Sequence, residues 1–183
     1  MKTFCAFLRG VNVNGRNIKM AEACEVFRAA GMEQVSSVLA TGNIIFMSGD
    51  DRSSLCGILE AALDIRFQME SKLFIKDADE IKTIIDAVPY EPDPDWHRYS
   101  FICESGFEFV LAKEFETAGQ GSQSDESAAV SKGCFFWRVR KGQTLDTPFS
   151  KILGNKKYRE NFTSRNLSTI EKIYAVMKSK TGN

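Results

Sequence analysis

The sequence predicts an α+β protein: a tandem pair of ferredoxin-like (βαββαβ) subdomains, each an antiparallel sheet with helices on one face. Three observations carry that prediction. Apolar runs of two-residue period alternate with longer stretches of helical period, in the order strand, helix, strand hairpin, helix, strand, helix. The same order returns in the second half, without visible residue identity between the halves. A proline-rich acidic segment, PYEPDPDWH at 89–97, stands between them. The division expected is therefore 1–88, a connector at 89–97, and 98–183 ending in a C-terminal helix. With 183 residues, 43% of them hydrophobic and 26% charged, the chain can bury two small cores without disulfides or metal.

In the first half, Thr3–Leu8 is a strand with Phe4, Ala6 and Leu8 on one face and Cys5 and Phe7 on the other. Both faces are apolar, so both are expected to be covered. From Ile18 to Ala30 the spacing turns helical, with Met20, Ala23, Cys24 and Phe27 on one side and Gly31 as the stop. Gln34–Ala40 and Ile44–Ser48 read as two strands around Thr41-Gly42-Asn43. Asp51 or Ser53 can cap a helix lined by Leu55, Ile58, Leu59, Ala62 and Leu63. Lys72–Lys76 is a strand. Asp77 and Glu80 then have capping-box spacing, and Ile81, Ile84, Ile85 and Val88 make a stripe that Pro89 ends.

In the second half, Arg98–Cys103 is a strand and Phe107–Phe115 a helix, although FEFVLA also suits an extended chain. Thr117–Ser127 is polar and reads as flexible. Ser127–Val130 and Cys134–Arg140 are strands around Lys132-Gly133. A short helix is expected near Thr147–Leu153 and a last strand at Arg159–Thr163. Asn166 or Ser168 then caps a helix bearing Leu167, Ile170, Ile173, Tyr174 and Met177.

Net charge is formally zero, but it is unevenly placed. Residues 1–30 carry five Lys/Arg against two Asp/Glu, residues 31–131 seven against nineteen, and residues 132–183 twelve against three. The basic ends can be solvated faces, or can meet on one anion-binding surface. The five cysteines have no C-x-x-C spacing and sit in or beside apolar runs, which points to reduced thiols and a cytoplasmic setting. The apolar start, Thr3–Leu8, is too short for a signal sequence, and no run is long enough to span a membrane.

The most unusual stretch is Arg9-Gly10-Val11-Asn12-Val13-Asn14-Gly15-Arg16-Asn17, a glycine-containing loop ahead of a helix. A helix start offers free N–H groups to a phosphate or carboxylate, and Arg9, Arg16 and Lys19 add charge. Neither G-x-G-x-x-G nor G-x-x-x-x-G-K-[ST] is matched, and loop glycine and asparagine also serve backbone needs alone. In a βαββαβ topology this loop and the Thr41–Asn43 bend leave the same end of the sheet. The candidate ligand-binding set is Arg9, Gly10, Asn12, Asn14, Gly15, Asn43, Lys151, Arg165 and Asn166. Capping explains Asn166 by itself; Arg165, placed by this reading at a helix start, wants a carboxylate or an anionic ligand as partner.

FLRGVNVNGRNIKM, TGNIIF, SKIL at Ser150–Leu153 and TSRNLSTIEKI at Thr163–Ile173 occur in an order that resembles the bacterial domain-of-unknown-function family 1697. The resemblance covers nearly the whole chain. It implies a duplicated α+β fold and a bacterial cytosolic source, and it transfers no activity, substrate or catalytic residue. The chain departs from the family in a shorter gap between its loop glycine and the I-K-M helix start. It also lacks the basic, glycine-rich lead into S-K-L, having Thr144-Leu145-Asp146-Thr147-Pro148-Phe149 there, which bears on Lys151 as an anion ligand.

Several chemistries lack their residues. His97 is the single histidine, so no two-histidine metal site exists, and no nucleophile elbow accompanies it. Glu91, Asp93 and Asp95 alternate with prolines and do not follow the EF-hand pattern; a solvated linker accounts for them. No metal and no cofactor is expected. Phe135, Phe136 and Trp137 beside Arg138, Arg140 and Lys141 suit either a base-stacking platform or a core strand with basic ends. The functional expectations are an anionic small molecule or nucleotide bound at the loop after the first strand, single-stranded nucleic acid bound by the basic region 132–165, or a homodimeric interaction protein. No nucleophile, base or metal cluster stands out, and an enzyme whose site assembles from distant residues stays open.

Overall fold

The computed structural model describes residues 1–9, 12–13, 16–119, 125–158 and 160–181; the side chains at 12, 13, 16, 17 and 181 are not among those described. The chain divides into two compact units. One is Met1–Lys82 together with the residues from Glu171 onward; the other is Thr83–Ile170.

The first unit contains β1 (Lys2–Arg9), β2 (Asn12–Val13), β3 (Arg16–Asn17), α1 (Met20–Ala29), β4 (Glu33–Ser37), β5 (Asn43–Ser48), α2 (Arg52–Phe67) and β6 (Lys72–Asp77). Helix α3 (Ala78–Asp86) begins here and runs across the division between units. The four longer strands form one antiparallel sheet in the order β4-β5-β1-β6. Alternation along β1 places Phe4, Ala6 and Leu8 opposite Phe46, Ile44 and Leu73, and these pack with Phe27, Leu55, Leu59 and Leu63 of the helices. The other side of β1 is buried as well, at Cys5 and Phe7.

Caps fix the helix starts. Asp51 accepts from the Ser54 N–H (3.1 Å) and from the hydroxyls of Ser53 (2.6 Å) and Ser54 (2.7 Å). Those donors hold its carboxyl well below the usual carboxylate range. Asp77 and Glu80 form the reciprocal box: the Glu80 N–H donates to Asp77 Oδ1 and the Asp77 N–H to Glu80 Oε2, each at 3.0 Å. Arg52 and Lys76 both bind Glu80 from outside.

Four local expectations are corrected here. Helix α1 starts at Met20, not Ile18, and Lys19 at its cap makes no side-chain capping bond. Strand β4 stops at Ser37 because residues 38–42 form a wider turn, with Leu39 and Gly42 at φ +59° and +76°. Ile58 is exposed (43%), since Leu55, Leu59 and Leu63, four residues apart, form a narrower buried stripe than expected. The stretch after β1 is not a plain loop feeding a helix. It contains the β2–β3 pair, with Asn12 opposite Asn17 and Val13 opposite Arg16.

The second unit contains β7 (Trp96–Cys103), α4 (Phe107–Gly119), β8 (Glu126–Ser131), β9 (Cys134–Arg140), α5 (Pro148–Leu153), a 3-10 turn at Lys156–Tyr158 and β10 (Phe162–Asn166). Helix α6 (Leu167–Thr181) starts here and ends in the first unit's set. The sheet order β10-β7-β9-β8 repeats that of the first unit, again antiparallel throughout. Phe101, Phe135, Trp137, Phe149 and Phe162 form an aromatic core with Leu111 and Tyr158. Buried Glu126 ties α5 to the sheet: it accepts from Trp137 Nε1 (2.8 Å) and from the Phe149 N–H (3.1 Å). The β8–β9 turn has both central residues at positive φ, Lys132 at +47° and Gly133 at +73°, as a two-residue hairpin requires.

FEFVLA is helical, and α4 extends it to Gly119. Of the expected flexible stretch, 120–124 lies outside the described residues, and Glu126 already belongs to β8. The last strand is Phe162–Asn166 rather than 159–163, while Arg159 is outside the described residues. Strand β7 begins at Trp96, two residues inside the expected connector. Among the described residues no helix is long and apolar enough to cross a membrane.

Candidate functional site

The two central strands of the second sheet, β7 and β9, carry different chemistry on their two faces. Residues directly opposite on paired strands share a face. Tyr99 faces Trp137 and Phe101 faces Phe135, all on the core side. The next residues along fall on the other side: Trp96 opposite Arg140, Arg98 opposite Arg138, Ser100 opposite Phe136. Burial on that second face is graded. Ser100 and Phe136 are fully buried, Arg98 and Arg138 half-buried, and Arg140 exposed.

Arg98 and Arg138 are therefore like charges facing each other across a strand pair, an arrangement that is unfavourable in itself. Neither forms an ion pair among the described residues. Each is instead held by neutral groups. Arg98 Nη1 donates to the Tyr90 carbonyl (2.9 Å), and Arg138 Nε donates to Ser127 Oγ (2.7 Å). The guanidinium carbon of Arg138 lies 5.0 Å from the Tyr90 ring centre and 4.8 Å from that of Trp96. Its terminal nitrogens have no hydrogen-bond partner among the described residues.

Arg140, one row out, lies 5.4 Å from the Trp96 ring centre and is neutralised. Its Nε donates to Asp125 Oδ1 (2.8 Å), and that bond, with the charges of Asp125, Asp95 and Asp93, strengthens its hold on its proton. Tyr90 is raised above the ordinary phenol range by burial, tempered by Ser127 and Arg138. Ser127 lies near enough to temper that titration, yet the buried Tyr90 hydroxyl makes no hydrogen bond of acceptable geometry.

The residues expected from sequence are placed as follows. Arg9 ends β1 opposite Lys72 and is partly exposed. Gly10, Asn14 and Gly15 lie outside the described residues, and of Asn12 only the backbone is described. Asn43 is fully buried and donates its amide to the Val38 carbonyl and Thr41 Oγ1, both at 3.0 Å, so its N–H groups organise the turn. The Leu8 N–H donates to the Gly42 carbonyl (2.7 Å), which brings the end of β1 and the 41–43 bend together. Lys151 is exposed on α5. Arg165 lies in β10 opposite Ser100, not at a helix start; it is 9% exposed and donates to Thr163 Oγ1 (2.7 Å) and the Ser164 carbonyl (2.8 Å). Asn166 caps α6 through Oδ1, which accepts from the Ser168 N–H (3.0 Å).

Reasoning from sequence missed Tyr90, Trp96 and Arg98. The alternation Trp96, Arg98, Ser100 against Phe136, Arg138, Arg140 was the available signal, but the strand start was set two residues too late to show it. The aromatic run of β9 does not itself form a stacking platform, because Phe135 and Trp137 are spent in the core. Among the described residues no group of three or more histidine, cysteine, aspartate or glutamate side chains is placed to hold a metal ion.

Two sheets with the same strand order, each with helices, define a tandem βαββαβ protein of the α+β class. The chain belongs to the DUF1697 family, described as proteins of unknown function, whose model matches residues 1–136. It is similar in fold to a conserved bacterial protein, SP0830 from Streptococcus pneumoniae, at a TM-score of 0.77 and 23% identity, covering 97% of this chain and 99% of that one. A candidate repressor of glycine-cleavage-system transcription (TM-score 0.24, 12% identity, 90% and 95% covered) and an unknown protein from Galdieria sulphuraria (0.23, 8%, 98% and 90%) share too little geometry to compare. No curated protein matches the chain.

Proposed function

We propose that the protein binds a small anionic ligand through Arg98 and Arg138 on the second sheet. One observation carries the reading: the half-buried Arg98 and Arg138 pair directly across β7 and β9, and among the described residues neither has an ion-pair partner and Arg138 keeps its terminal donors unused. A phosphate or carboxylate there would relieve the repulsion and accept parallel hydrogen bonds. Neutral partners hold both side chains in place beforehand, and two aromatic rings hold Arg138 as well, which lowers the ordering penalty on binding. This departs from the loop after β1 as the main site and keeps the ligand class. The loop remains a second candidate anion site, supported by the junction of Leu8 with Gly42. A cytosolic setting belongs to the same reading, supported by five free cysteines.

The test is isothermal titration of wild type, Arg98→Gln, Arg138→Gln and Arg9→Ala with inorganic phosphate and citrate. Binding should weaken at least tenfold in both sheet variants and persist in Arg9→Ala, on the scale of one charge-assisted hydrogen bond, about 1.5–3 kcal/mol. Binding lost in Arg9→Ala alone moves the site to the loop, and no binding by folded wild type refutes the reading.

A further inference from the structure

We infer that the ligand of the Arg98–Arg138 pair is a mononucleotide, a single phosphate carrying a flat heterocycle, rather than a nucleic-acid strand; the inference rests on the anion reading above.

Two sets of observations carry it. The first is aromatic. Tyr90 and Trp96 place their rings against the Arg138 guanidinium, so planar surfaces border the unused donors. Bases stack on aromatic rings and on guanidinium planes alike, and any base offers a π-face for the purpose. A free phosphate would use the arginines and add no stacking to the layer that these rings form with Arg138.

The second limits the ligand to one phosphate. A strand tracking β9 would bring its next phosphate to the next row of the face. Outward, that row is Arg140, which is already bound to Asp125, with Asp93 and Asp95 adding negative charge. Inward, the next row is Arg165, Ser100 and Phe136, all buried, with the Arg165 guanidinium engaged by Thr163 Oγ1 and the Ser164 carbonyl. The cation pair is thus bounded by carboxylates on one side and closed sheet on the other. A polyanion meets repulsion where it would have to continue, whereas a mononucleotide ends before reaching it.

The experiment compares ribose 5-phosphate, AMP and an eight-nucleotide oligo-dT as ligands of wild type, Trp96→Leu and Arg98→Gln, by calorimetry at physiological salt. AMP should bind about tenfold tighter than ribose 5-phosphate, the scale of one stacked base. Trp96→Leu should bring the AMP and ribose 5-phosphate affinities to within about twofold of each other; Arg98→Gln should weaken both and keep their ratio at about ten. AMP should quench tryptophan fluorescence in wild type and not in Trp96→Leu. Equal affinities for AMP and ribose 5-phosphate, both sensitive to Arg98, would overturn the nucleotide inference and leave the anion reading standing. No binding by either overturns the anion reading itself. Oligo-dT binding tighter than AMP, with a steep salt dependence, overturns the mononucleotide in favour of a strand.

Discussion

A double-mutant cycle on Arg98 and Arg138 isolates the feature on which the site depends. Either single substitution by glutamine loses its own hydrogen bond, to the Tyr90 carbonyl or to Ser127, so neither single change reports the repulsion cleanly. The coupling energy does. Two like charges one Debye length apart, about 8 Å at physiological salt, repel by about 2 kcal/mol at an effective dielectric constant of about 20 before screening, which sets the scale. One Debye length of separation at physiological salt reduces it to about 0.8 kcal/mol. That agrees with the scale of about 0.2–1 kcal/mol for cross-strand charge pairs. The assay is urea unfolding of wild type, both single variants and the double variant at low and physiological salt. The coupling should be unfavourable, should shrink as salt rises, and should vanish when saturating phosphate bridges the pair. A coupling that is zero or favourable at low salt would refute the reasoning, because it would mean that the two guanidinium groups are already compensated.

Two other perturbations test the frame around the site. Glu126→Ala leaves the Trp137 indole N–H and the Phe149 N–H buried without their acceptor, so unfolding free energy should fall by about 2–6 kcal/mol in a denaturant titration, at about 1–3 kcal/mol per orphaned group. A loss below about 1 kcal/mol would mean that the clasp is not structural. Asp51 has its folded pKa held below the ordinary value, so the unfolded chain takes up its proton first on acidification. Its stabilising contribution is complete above about pH 5 and is lost as pH falls toward the folded value. Urea midpoints followed from pH 6 to pH 2.5 should decline less steeply in Asp51→Asn than in wild type; parallel curves would contradict the assignment.

Much of the fold is legible in local pattern. Alternation in TFCAFL, the Asp77/Glu80 spacing and the Lys132-Gly133 dipeptide each specify their own geometry through neighbouring residues, and each forms as expected. The failures are of another kind. Gln34–Ala40 looks like a continuous strand, yet the turn ahead of β5 takes residues 38–42, organised by the buried amide of Asn43. Arg165 seems to start a helix by its neighbours, yet pairing with Ser100 puts it inside β10. The candidate site was illegible for the same reason. Tyr90, Trp96, Arg98, Ser127 and Arg138 meet only through cross-strand register and a returning connector. Proline and acid content gave the connector a linker's composition, which hid the two rings it contributes.

The chain's last helix has a consequence for how the molecule is made. Residues from Glu171 onward group with the first unit, and Lys180 Nζ donates to the Gln34 carbonyl at 2.6 Å. Those residues leave the ribosome only after the whole of the second unit. The first unit's four-stranded sheet can form once β6 has emerged, but the helical residues that group with it arrive only later. The first unit is thereby drawn from two separated stretches of chain, and it is not whole until the second unit has been synthesised.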